Sequence, residues 1–529
     1  MKKASVLSLW VLLFSFIVPA INIGKSADDN VLKIVLRQEP VTLDAQRLMI
    51  ALEGNITANL GSTLVAFDPE TGEIVPYLAT NWSVSEDGLL WTFHLRDDVL
   101  FHDGTPLTAE EYAWTLNRIL TLTGPESSVP KTILRNVVKI SAVDQYTLQL
   151  DLKSPDATLL YGLGYNYLQP LSPKAVESAG DNYGHQPVGV GPFRFKEWVP
   201  GEKIVLERNP DFTWGPSFTS GGPAKLDAIE YIIIPNYDLA LVELLDGRID
   251  LMQIQHEDAR QALDNGSLTL TNIFMSGSGV FLILDITQPP LDDIRVRQAL
   301  NYAIDREQIV SIVEYGYGKP LYGPVTPNTS GFWPGAEGIG YHYDRAQAAA
   351  LLNDAGYELN GEGLLAKDGQ VLALTLIEVR YAQLPQLPQI MAVLLDLFQQ
   401  LGIQTQLKSV EPADMLAGLA DSENFDMVAT AAAWPEATFV LLNCFLSTGQ
   451  FNFGHVNDPE LDQLLVNSLS AVDLETSRQL LWDAQKRIIE QAYSVPLYGL
   501  SDLLAINQRI RNYLHTGYGQ WLIDTSIED

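Results

Sequence analysis

The sequence predicts an α/β protein with interleaved lobes, on three observations. Short β-branched runs are spread along the chain, helical patterns with capping signals lie between them, and no Gly/Ser-rich linker strings separate domains in series. The runs Lys33 to Arg37, Trp91 to Arg96, Tyr146 to Leu152, Lys203 to Arg208, Ile229 to Ile234 and Val280 to Ile286 read as strands. Thr108 with Glu111 predicts a capped helix start, and Asp305 with Gln308 is a variant of the same signal. Asp344 with Gln347 opens a helix that ends at Gly356. Val296, Ala299, Leu300, Ala303 and Ile304 recur at helical spacing and define one apolar face. Prolines and glycines cluster only at Pro187 to Gly191 and Gly215 to Pro223, and the first cluster reads as a turn.

The first 30 residues carry Lys2 and Lys3, an apolar stretch from Leu9 to Val18, then Pro19, Ala20 and a polar region. This layout predicts a secretory signal peptide over 1–27, cleaved after Ala20 or Ala27, with a retained, tilted anchor as the alternative. The single cysteine, Cys444, rules out an intramolecular disulfide and a multi-cysteine zinc site, and leaves no signal cysteine for lipid anchoring. With 33 basic and 65 acidic residues the formal charge is −32, which argues against nucleic acid and anionic membranes as partners.

Chemistry-bearing motifs are lacking. The seven histidines form no pair with metal-ligand spacing, and there is no GxSxG elbow, P-loop or dinucleotide fingerprint, so no catalytic residue, metal or cofactor is expected. Among 65 carboxylates a chance acid and base pair remains open, which keeps a secreted hydrolase as the remote alternative.

Longer matches are more informative. The stretch from Tyr77 to Glu111, YLATNWSVSEDGLLWTFHLRDDVLFHDGTPLTAEE, contains Trp82, Asp87-Gly88, Phe93-His94-Leu95-Arg96 and Phe101-His102-Asp103-Gly104. It is followed in order by Gly189-Val-Gly-Pro-Phe-Arg-Phe, by Glu202 to Pro210, and by Leu245 to Asp250. Asp293 to Leu300 with Tyr302 to Glu307, and then Leu351 to Tyr357, complete the series. With these segments the chain resembles the peptide/nickel class of extracellular solute-binding proteins, the ligand receptors of ABC importers.

The resemblance implies a two-lobed periplasmic binding protein fold (type II-like) with an extra small domain. One lobe would comprise 31–76, 190–278 and 493–529, the small domain 77–189, and the opposing lobe 279–492. Two crossings, near Ser276 to Val280 and near Ala492 to Tyr498, would form the hinge. It also implies a monomeric receptor outside the cytoplasmic membrane. That receptor would take a small polar ligand, a peptide in the favoured case and an oligosaccharide or metal chelate in the alternative, and deliver it to a permease with separate ATPase subunits. The His102 loop and the pair Arg295 and Arg297 read as scaffold, the arginines tying a helix start to neighbouring carboxylates.

Glu39 in RQEPVTLDA matches a position that faces the ligand cleft, with Thr42 beside it; a turn glutamate before Pro40 is the alternative. In Asp426 to Leu442 the relatives' W-x-x-D-Y-x-[DE]-P pattern puts Thr430 at the tryptophan, Ala433 at the aspartate that anchors a peptide's amino group, Trp434 at the tyrosine and Glu436 at the second acid. The standard anchor is therefore replaced by alanine, and either Glu436 substitutes from a shifted position or the ligand carries no free ammonium there. Arg380 offers two parallel donors to a ligand carboxylate, and Trp434 an aromatic platform that also suits the core.

Overall fold

The computed structural model describes residues 30–48, 51–123, 128–380, 384, 386–411, 425–432, 434, 436–516 and 519–528. The expected leader and Ala433 lie outside them. Among the described residues no helix is long and apolar enough to cross a membrane.

Two mixed sheets organise the molecule. The first has seven strands in the order Leu268–Phe274, Ser501–Asn507, Leu251–Ile254, Val31–Leu36, Ala228–Ile233, Lys203–Arg208 and Phe193–Val199. The second has six: Lys319–Pro320, Ser494–Gly499, Gly279–Leu284, Met427–Ala432, Ala373–Val379 and Gln404–Val410. Its central strand, GVFLIL, is buried at every position, as expected for a strand covered on both faces. Leu282 and Leu284 enter one apolar cluster while Phe281 and Ile283 enter the other, because successive side chains alternate across the sheet. A smaller antiparallel sheet of Ala79–Val84, Leu90–Leu95, Thr147–Leu152 and Val137–Asp144 carries the helix Ala109–Thr121. That helix starts at the Thr108 and Glu111 capping box anticipated from sequence.

The chain passes twice between the large sheets, at Met275–Ser278 and at Leu500, and Met275 N–H donates to Leu500 O at 2.9 Å. The second passage lies beyond the expected Ala492 to Tyr498, because Ser494–Gly499 is held in the second sheet by its pairing with Gly279–Leu284. Gly279 has φ +60 and a Cβ there would meet Tyr498 O at 2.4 Å, so the double crossing requires glycine. The small domain's core also extends beyond 77–189, since Leu64 to Phe67, Phe212, Trp214 and Ile523 belong to the same apolar cluster.

His102 is scaffold, as expected: its ring bonds Gly189 N–H (3.3 Å) and Gly191 O (3.1 Å), and burial lowers its pKa to about 4, leaving the imidazole neutral. The Gly189 to Gly191 cluster is a close backbone approach as well as a turn. A Cβ on Gly189 would stand 2.1 Å from Leu60 O. Gly189→Ala is expected to lower the melting temperature, with an overpacking cost of roughly 1–3 kcal/mol, read by calorimetry. Arg295 pairs with Asp293 (2.5 Å) as anticipated, but Arg297 departs from the expectation. It donates to the carbonyls of Leu291 (2.7 Å), Asp292 (3.2 Å) and Gln491 (2.9 Å), because those helix and loop ends converge on it.

Candidate functional site

The two sheets aim the same kind of edge at each other. In the second, Gly279 pairs with Ala432, and Met427–Ala432 runs parallel to Ala373–Val379, which runs parallel to Gln404–Val410. The carboxyl ends of these three strands therefore lie at the Gly279 end, where the chain arrives from the first lobe. In the first sheet the parallel strands Val31–Leu36, Ala228–Ile233 and Leu251–Ile254 likewise end on the side of Phe274 and Ser501. Open α/β sheets bind ligands outside the carboxyl ends of their parallel strands. Here two such edges flank one double crossing.

The anticipated residues all follow these strand ends. Glu39 and Thr42 come after Val31–Leu36. Arg380 comes after Ala373–Val379, and Trp434 and Glu436 after Met427–Ala432. Their side chains differ in what they have left to offer. The Glu39 carboxylate accepts from Trp198 Nε1 (2.8 Å) and from the Gly201 amide (3.2 Å), closing the hairpin turn between the first sheet's outer strands. Thr42 Oγ1 accepts from Asp44 N–H at 3.0 Å. Trp434 is half-buried, its ring centroid 5.7 Å from that of Phe451. Arg380 is 62% exposed at the side chain, and its ion pair among the described residues is a loose one with Glu411 at 3.8 Å.

Glu436 is only 3% exposed and bridges in parallel to Ser330, at the contact between the small domain and the second lobe. Burial pushes its pKa up to about 8, against the opposing effects of Arg135 and a hydrogen bond from Tyr165; Asp156 raises it further. A water-sized cavity of about 10 Å³ adjoins it, lined by Tyr161, Ser330, Thr438, Ser477 and Arg478 among others. His256 Nδ1 of the first lobe approaches Glu314 Oε2 of the second at 3.0 Å. The second lobe thus touches both the small domain and the first lobe.

Sequence reasoning missed Glu378. In ALTLIEV, Leu374 and Leu376 point into one apolar cluster and Ile377 and Val379 into the other, so Glu378 occupies a position that the alternation reserves for an apolar side chain. That break in the pattern was the available signal. Its Oε2 accepts from Ser409 Oγ at 2.8 Å, while Oε1 is buried with no hydrogen-bond partner. Among the described residues no group of three or more His, Cys, Asp or Glu side chains is placed to hold a metal ion.

Comparison with known proteins agrees with this geometry. The sequence model for bacterial extracellular solute-binding proteins, family 5 Middle, matches residues 73–452. The glutathione-binding protein GsiB of Pectobacterium atrosepticum is 27% identical over 465 residues, covering 84% of each chain. A probable di/tripeptide-binding protein of Pseudomonas aeruginosa is 26% identical, covering 96% of this chain and 97% of its own. Among solved structures, a nickel ABC transporter protein of Bacillus halodurans superposes with a TM-score of 0.80 at 24% identity, covering 94% of this chain and all of that one.

Proposed function

This chain belongs to the bacterial extracellular solute-binding proteins of family 5, and from that premise we propose that it is a peptide receptor. It is the substrate-binding component of an ABC importer, not an enzyme. It works outside the cytoplasm and hands its ligand to membrane permease and ATPase subunits. The carrying observation is the pair of facing carboxyl edges on either side of a double crossing, a geometry in which ligand bridges two lobes and shifts them toward closure. The relatives named for glutathione and for di- and tripeptides support a short peptide as the ligand.

In this reading the receptor acts as a monomer, reaches its compartment through the signal peptide over 1–27, and holds the peptide between Glu39 and Thr42 on one edge and Arg380, Trp434 and Glu436 on the other. Arg380, exposed and only loosely paired, meets a ligand carboxylate. Thermal-shift measurements with di- to pentapeptides test it. A true ligand at a hundredfold excess over Kd stabilises the protein by about 2.7 kcal/mol, a visible rise in melting temperature. Arg380→Ala is expected to weaken peptides with a free carboxyl terminus about tenfold and leave amidated ones unchanged. A response to oligosaccharides or metal chelates with none to peptides overturns the peptide assignment and keeps the receptor class.

A further inference from the structure

We propose that Glu378 is the point at which the receptor holds a cationic group of its ligand, an ammonium or guanidinium. The inference deepens the receptor reading and rests on it. Glu378 lies one residue before the carboxyl end of Ala373–Val379, on the edge that faces the first lobe. Its side chain is 4% exposed, and of its two oxygens only Oε2 is satisfied, by Ser409 Oγ. A buried carboxylate oxygen without a donor is costly, and the cost is removed when a cation supplies the missing hydrogen bonds.

The neighbouring strand presents only small side chains beside it. Glu378 stands in register with Ala429, and Ala431 follows on the same face, so methyl groups occupy the positions beside the carboxylate. Among the described residues no lysine, arginine or histidine is paired with Glu378; the nearest cation along the chain, Arg380, approaches Glu411 instead. With Arg380 two residues further on, the edge offers a buried anion and an exposed cation in succession, suited to a zwitterionic end group.

The test compares wild type with Glu378→Gln, which keeps the shape and removes the charge. Both are titrated calorimetrically with short peptides bearing free or acetylated amino termini, and with spermidine and arginine as amines lacking a peptide bond. The expected result is that free-amine ligands bind wild type and lose at least about tenfold in the variant, that acetylated peptides do not distinguish the two, and that the ligand-free variant melts higher than wild type. Equal affinities in the two proteins overturn the proposal, as does a wild type that binds none of the amines or prefers acetylated peptides. Binding of spermidine or arginine without any peptide would instead overturn the peptide reading while leaving Glu378 in its role.

Discussion

Replacing Arg306 by alanine is expected to lower the melting temperature of the second lobe by more than any other single truncation proposed here. Arg306 is 2% exposed and its guanidinium has no carboxylate partner among the described residues. Carbonyls hold it instead: Pro496 O at 2.7 Å, Tyr341 O at 2.8 Å, Asn301 O at 3.2 Å and Ile304 O at 3.5 Å, with Asn301 Oδ1 at 3.1 Å. Burial lowers its pKa to about 10, partly opposed by the Tyr322 ring, so it remains a cation at neutral pH. One planar fork therefore satisfies acceptors from a helix end, a loop and the strand that returns to the first lobe. Alanine leaves those acceptors buried and unpaired, at a cost of about 3–5 kcal/mol. Arg306→Lys, with a single donor centre, should recover only part. Calorimetry that resolves separate transitions should show the loss in the second lobe, and an unchanged transition would refute this account.

The second large effect concerns Glu436. Its pKa is about 8 in the contact between the small domain and the second lobe, against an ordinary value of 4.5. Forming the contact thus binds a proton. Its contribution is complete below pH 4.5 and is lost as pH rises through 8. The groups facing the carboxyl are Arg135, Asp156 and Tyr165, with Tyr161 and Arg478 around the adjoining cavity. Arg135 is itself paired with Asp156 at 3.0 Å and so neutralises Glu436 only weakly. Between pH 6 and pH 9, ligand affinity of the wild type is expected to fall on the order of 10- to 100-fold, because closure requires the protonated contact. Small-angle scattering should show the lobes parting over the same range. Glu436→Gln, which stays neutral, should abolish both dependences and close more readily than wild type at pH 9. A pH dependence surviving in the variant would assign it to another group, with the His256 and Glu314 pair the first to examine.

Local signals carried far in this chain. The capping residues Thr108, Asp305 and Asp344 each hold the helix start anticipated for them, because a cap depends on residues two or three positions away. The strand Lys203–Arg208 falls on its anticipated limits, and the matching segments identify the family over most of the chain. The extent of the small domain was less legible, since its core recruits Phe212 and Ile523 from distant segments.

The sequence by itself determined the α/β class, the interleaving of the lobes and the membership of a receptor family, because these rest on periodicity, composition and ordered motifs. Tertiary structure alone decided what each carboxylate is free to do. Glu39 is engaged by Trp198, 159 residues away; Glu436 is covered by Tyr165 from the small domain; Glu378 is left with an open oxygen. The three are alike as residues in a sequence. They differ because burial and hydrogen bonding are set by partners that the two crossings bring together across the molecule.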